Sequence, residues 1–223
     1  MTKTLYGYLT YFLHPFQVNN YFKKNREDLM ALSTPFLIDD ESSLKLEEDI
    51  LELDFSEILI ISWVFLIISG IYSLLLLNLS AAILRMVDTS GGMAANLASP
   101  RTLIFFTLGQ AVLFPLGFYF YAIIWEKIVY FFTLLFSPNL EDIDHASKQV
   151  VAVSMTAHTF LLVPVLGTFI FHIAFAIYLF AGLKCNLGFR TLPALITILS
   201  PLFVIGFCLL VIILLIVSLI MGF

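Results

Sequence analysis

Polar and apolar positions along this chain separate into long blocks. Residues 58–84 form the first block, 27 positions without an ionisable side chain, where a membrane-spanning helix needs about 20. Arg85 and Asp88 close it. Residues 89–99 have loop chemistry, with a Gly91-Gly92 pair, and Pro100 suits the first turn of a new helix. The second block, 102–125, carries 24 uncharged residues; Glu126 and Lys127 follow, then a further apolar stretch to residue 136. A single helix over 102–136 would be roughly 50 Å long at its usual rise, against a hydrocarbon core of about 30 Å. Such a helix is expected to project from the membrane or to bend near Trp125 and Glu126. Pro138 with Glu141, Asp142 and Asp144 marks a polar loop.

The third block, 150–183, has 34 residues without Asp, Glu, Lys or Arg, too long for one span and short for two, with Pro164 and Gly167 as a natural turn. The last, 192–223, has 32 uncharged residues and holds Pro193 and Pro201. Four or five helices fit these blocks, and charge decides between them. With a cytoplasmic N-terminus and five helices, Lys3, Lys23, Lys24, Arg26, Lys45, Lys127, Lys148, Lys184 and Arg190 fall on the cytoplasmic side, against Arg85 and Arg101 outside, nine to two. Four helices move Lys184 and Arg190 across, giving seven to four. The excess of Lys and Arg that marks cytoplasmic loops favours five. The expected fold is therefore an all-α integral membrane protein. Its transmembrane region, 57–223, has helices near 57–85, 102–136, 147–163, 165–184 and 192–222. The third is shorter than an ordinary span, and is expected to tilt or to rest against the others partway through the membrane.

Residues 1–56 are the sizeable polar region, cytoplasmic or interfacial. Leu5, Leu9, Phe12 and Phe16 recur at helical spacing, with Tyr8 and Tyr11 beside them and Lys23, Lys24 and Arg26 following. One or two helices are expected, lying in the membrane interface with the cations near anionic headgroups, or packed on the cytoplasmic ends of the bundle. Over 43–55, Leu44, Leu46, Leu51, Leu53 and Phe55 alternate with polar residues, which favours extended or irregular structure.

Composition agrees with a membrane protein. The chain is 61% hydrophobic and 12% charged, with a mean hydropathy of +1.01, where soluble domains carry about 25% charged residues. The net charge of −5 is local, because nine of the sixteen carboxylates lie between Asp39 and Glu57. No basic stripe points to nucleic acid. Cys185 and Cys208 imply neither a disulfide framework nor a metal site, and no cleavable signal peptide is read at the N-terminus.

Chemistry-bearing motifs are few. There is no phosphate-binding glycine loop, no His-Glu-x-x-His and no Gly-x-Ser-x-Gly, so no catalytic, cofactor-binding or metal-binding residue is assigned and no enzyme activity is expected. His158 and His172 lie within apolar runs, where a polar side chain usually has a partner or a function. They are read as interhelical hydrogen-bonding groups, with a proton or ligand site across the Pro164 turn as the sharper alternative. Glu126 and Lys127 are read as markers of the interface rather than as an intramembrane charge pair. Glu47, Glu48, Asp49 and Glu52, with the alternating leucines, are candidates for docking a basic partner, set against a solvated linker.

The C-terminal half contains Ala157-His158-Thr159-Phe160-Leu161-Leu162-Val163-Pro164, Ile177-Tyr178-Leu179-Phe180-Ala181-Gly182-Leu183-Lys184, Leu192-Pro193-Ala194 and Leu199-Ser200-Pro201. Near the N-terminus stands His14-Pro15-Phe16, with Tyr21-Phe22 after it. Over residues 14–30 and 100–205 this resembles the Yip family of polytopic membrane proteins in its bacterial form. The resemblance implies five helices, a cytoplasmic N-terminus and work done through protein or lipid contacts. The acidic Tyr-Gly-Pro motif of the eukaryotic members is absent, so their Rab-GTPase partnership is not carried over.

The functional expectation is a scaffold or accessory subunit in a bacterial inner membrane. Its partners would be the lipid bilayer and other membrane proteins, as a homo- or hetero-oligomer. The rival is a small transporter or channel subunit with His158, His172 or Glu126 in its pathway.

Overall fold

The computed structural model describes residues 2–33, 53–87, 100–140, 142–164 and 166–221. They form seven α-helices: α1 (Thr2–Leu13), α2 (Pro15–Ser33), α3 (Phe55–Val87), α4 (Pro100–Phe136), α5 (Ile143–Met155), α6 (Gly167–Cys185) and α7 (Thr191–Met221). A 3-10 helix, Thr156–Leu162, continues α5. The loop expected over 89–99, and positions 43–52 of the segment read as extended, lie outside the described residues.

Local chemistry sets several boundaries. Pro15 and Pro100 open α2 and α4, where the missing N–H costs nothing. Asp54 caps α3: its carboxylate accepts the Phe55 N–H and the Ser56 hydroxyl, both at 2.7 Å. Glu57 reaches back to the Asp54 N–H at 3.2 Å, the reciprocal bond of a capping box. Those two donors hold the Asp54 carboxyl below its ordinary value. Past α6, the N–H groups of Leu187 and Phe189 bond to the carbonyls of Gly182 and Leu183, and Gly188 turns the chain at φ 70°, a conformation glycine adopts without a Cβ penalty.

Among the described residues, four helices are long and apolar enough to cross a membrane: α3 over Phe55–Ser80, α4 over Thr107–Phe136, α6 over Gly167–Cys185 and α7 over Thr191–Leu219. The protein is an all-α integral membrane protein. Every residue of α7 from 202 to 217 is exposed, as suits an apolar helix surrounded by lipid. The helix α4 runs unbroken through Trp125 and Glu126. Its 37 residues make about 55 Å at the helical rise.

Contacts fix the directions of the helices. Phe55 meets Phe118 and the Trp63 indole donates to the Ala111 carbonyl at 2.7 Å, so α3 and α4 run oppositely. Trp125 meets Phe175 and Phe136 meets Phe189, so α6 follows the direction of α4. Two helices joined in sequence and running the same way require a return path between them. That path is α5 with its 3-10 extension, the segment expected as a short third helix over 147–163. Thirteen α-helical and seven 3-10 residues advance about 34 Å together, the tighter helix rising about 2 Å per residue. The 3-10 segment makes this path longer than the same residues would be as α-helix.

The return path is the centre of the molecule. Val150, Val151, Val153, Met155 and Ala157 are buried in one core with Phe171, Phe175, Leu179 and Leu183 of α6. The approach is close enough that a Cβ on Gly182 would stand 2.5 Å from a Val150 methyl.

The same core receives α1 and α2. Tyr8, Tyr11, Val18 and Phe22 are buried; of the residues read as the apolar stripe, Phe12 packs against this core, whereas Leu5, Leu9 and Phe16 are exposed at 46%, 39% and 45%. Tyrosine wins the interior because its hydroxyl finds partners there. The Tyr8 hydroxyl donates to the Thr156 carbonyl at 3.2 Å, accepts from Thr159 at 3.2 Å and stands 3.4 Å from the Ser62 hydroxyl. The Tyr11 hydroxyl accepts the Leu53 N–H. The described part of residues 1–56 is thus wedged against the bundle, with its outward leucines left for lipid.

Candidate functional site

A partly polar concavity lies where α1, α2, the start of α3, α4 and α5 converge. It has a volume of about 460 Å³, a floor that includes Tyr11, Phe55 and Tyr119, and a rim that includes Glu126, Lys148 and Gln149. Helical periodicity places the rim: His145, Lys148 and Gln149 share one face of α5 at spacings of three and four, opposite Glu126 on α4. Lys148 is paired with Asp144 along that face. The described chain resumes at Leu53 and Asp54, which lie in the wall of this groove.

Glu126 and Lys127 do form a pair, at 2.9 Å, but they divide their environments. The Glu126 side chain is largely covered, at 18% exposure, and lines the groove; Lys127 is 64% exposed and lies 5.9 Å from the Tyr130 ring. His145, Lys148 and Gln149 were not singled out from sequence. The signal was present in the Asp144/Lys148 and His145/Gln149 spacings, but nothing in the sequence placed that face against Glu126.

The two histidines are not directly opposed. His158 is buried and its Nδ1 lies 2.8 Å from the Met155 carbonyl. A carbonyl can only accept, so Nδ1 carries the proton. Its ring is enclosed by Phe171 at 4.3 Å, Phe118 at 5.0 Å and Phe114 at 5.6 Å between centroids. His172 is exposed on the outer side of α6, and Phe171 stands between the two rings. The expected interhelical bond is, for His158, a bond within its own segment, with aromatic packing joining it to α4 and α6.

A third polar site closes the far end of α6. Arg26 donates to the Asn186 carbonyl at 2.7 Å and to its side-chain oxygen at 3.0 Å, placing a cation at a helix C-terminus, the favourable end for one. Partial burial holds the guanidinium below its ordinary value, against the opposing fields of Glu27 and Asp142. Among the described residues no group of three or more His, Cys, Asp and Glu side chains is placed to hold a metal. Glu47, Glu48, Asp49 and Glu52 lie outside the described residues.

No protein-family model, curated protein or solved structure matches the chain.

Proposed function

We propose that this chain is a polytopic scaffold or accessory subunit acting through protein and lipid contacts, without catalysis. One observation carries the reading: the polar side chains described within the helices are spent on the fold itself, some on their own backbone and others, such as Ser62 with Tyr8 and Trp63 with Ala111, on a neighbouring helix. Thr133 donates to the Val129 carbonyl, Ser154 to Val150, Thr197 to Pro193 and Asn78 to Leu74, and His158 is satisfied in the same way. Donors spent in this way serve the helix that carries them. Broad exposed apolar faces on α3, α4 and α7 supply contact surface for lipid and for neighbouring membrane helices.

In this account the membrane is the bacterial inner membrane and the N-terminus is cytoplasmic. The chain crosses five times, with α5 and its 3-10 extension as the third pass, and residue 223 lies outside. The nine-to-two distribution of Lys and Arg supports that orientation, and the resemblance to the Yip family supports the class. The acidic stretch then stands on the cytoplasmic face, held off the anionic leaflet by its own charge and available to a basic partner.

The experiment is gentle purification of the intact protein with its stoichiometric companions, with wild type compared against a variant carrying Glu47→Gln, Glu48→Gln, Asp49→Asn and Glu52→Gln. Complex formation is expected to weaken by about tenfold or more at low salt and to lose much of its salt dependence, with membrane insertion unchanged. A complex of undiminished strength and unchanged salt dependence would show that the strip is a linker. Selective flux in proteoliposomes of the purified chain would favour the transporter reading instead.

A further inference from the structure

On their outer side α6 and α7 leave an open trough of about 540 Å³, lined by Phe169, His172, Ala176 and Phe180 of α6 and by Leu195 and Ile198 of α7. His172 is the one ionisable side chain in its lining. From Phe169 to Phe180 the trough follows eleven steps of α6, about 16 Å at the helical rise. That is about half of a ~30 Å hydrocarbon core. Apart from His172 the lining is apolar, which suits an acyl chain.

Its Phe180 end is cationic. The exposed Lys184 places its Nζ 5.9 Å from the Phe180 ring centroid, a long side chain lying along apolar surface with its charge held toward the polar boundary. Lys184 is thus the cation beside the Phe180 end of the trough. Arg190 follows, exposed, in the turn that leads into α7.

We propose that this trough is a binding site for one phospholipid with an anionic headgroup, its acyl chain lying along α6 from Phe180 to Phe169 and its phosphate on Lys184. The inference rests on α6 and α7 lying in the membrane, and is independent of the scaffold reading. Lipids that merely surround a protein exchange without regard to headgroup, whereas an apolar slot with a cation at its mouth selects for charge. Such a lipid would cover the face that α6 and α7 leave open and tie together the two helices of the C-terminal hairpin.

The test uses the intact protein in nanodiscs of phosphatidylglycerol and phosphatidylcholine in equal amounts, transferred to mild detergent, with retained lipid read by native mass spectrometry. Wild type is expected to keep phosphatidylglycerol in preference to phosphatidylcholine. Lys184→Gln is expected to reduce that preference about fivefold, the effect of one cation at a lipid surface. Ala176→Phe, which fills the trough, is expected to displace the retained lipid altogether; Leu195→Trp fills it from the α7 side and gives the same reading should Ala176→Phe not fold. Equal retention of the two lipids by wild type would overturn the proposal, as would a preference untouched by Lys184→Gln. Retention that survives filling of the trough would also overturn it, by placing the lipid on the charged surface alone.

Discussion

His158→Ala is expected to lower the stability of the detergent-solubilised protein by about 3 kcal/mol, the scale of removing a buried ring and leaving its cavity. His172→Ala is expected to change it by less than about 0.5 kcal/mol, as surface substitutions usually do. From sequence the two histidines were equivalent, each a polar side chain in an apolar run. Their surroundings separate them: His158 is enclosed by three phenylalanine rings and bonded to the Met155 carbonyl, whereas His172 faces outward. His158→Phe keeps a ring in the box and forfeits the hydrogen bond, so it is expected to retain most of the stability. Thermal unfolding of the three variants, together with partner co-purification, checks this. Loss of function in a stably folded His158→Phe protein would point instead to a proton or ligand site.

Gly182→Ala is expected to cost about 2–3 kcal/mol, in the range for overpacking a filled core. The new Cβ would stand 2.5 Å from Val150 Cγ1 and 3.1 Å from its Cβ and Cγ2. Val150 has no room to yield: it is fully buried and β-branched, with χ1 restricted on a helix. The double variant Gly182→Ala, Val150→Ala is therefore expected to be more stable than the sum of the single changes implies, a coupling of about 1 kcal/mol or more between touching residues. Additive losses would mean that the two helices do not meet at this point. Intermolecular contacts would be affected only indirectly, because Gly182 is buried inside the protomer.

The membrane helices were legible because a run such as 58–84, with no ionisable residue, has few ways to satisfy its backbone other than as a helix in lipid. Helix starts at Pro15 and Pro100 were similarly written in local chemistry. Two features were not. The orientation of α1 was ambiguous because Leu5 and Leu9 make as good an apolar stripe as Tyr8 and Tyr11; what decided it was the hydrogen-bond partners Ser62, Thr156 and Thr159, which come from distant parts of the chain. The segment 147–163 was read as a short helix because hydropathy cannot distinguish α from 3-10 rise, and the extra length over Thr156–Leu162 depends on packing against α3 and α6. Likewise the groove rim was half visible. Glu126 was recognised as a charge at the edge of an apolar run, but its partnership with the Lys148 face of α5 is tertiary. Of the proposed docking strip, Glu47, Glu48, Asp49 and Glu52 stand apart from the described residues, and their role rests on charge and alternation alone.

The account turns on the number and sense of the membrane crossings, because the cytoplasmic placement of the acidic strip and of Lys184 both follow from it. Reporter fusions active on one side of the membrane only, placed within 89–99, within 137–140 and after Phe223, test it most directly. The account predicts an external signal in the first, a cytoplasmic signal in the second and an external signal at residue 223, the last requiring that α5 and its 3-10 extension cross the bilayer. A cytoplasmic signal at residue 223, with the first two as predicted, would contradict five crossings. It would leave four spans, with Lys184 and the trough between α6 and α7 on the opposite leaflet from the acidic strip.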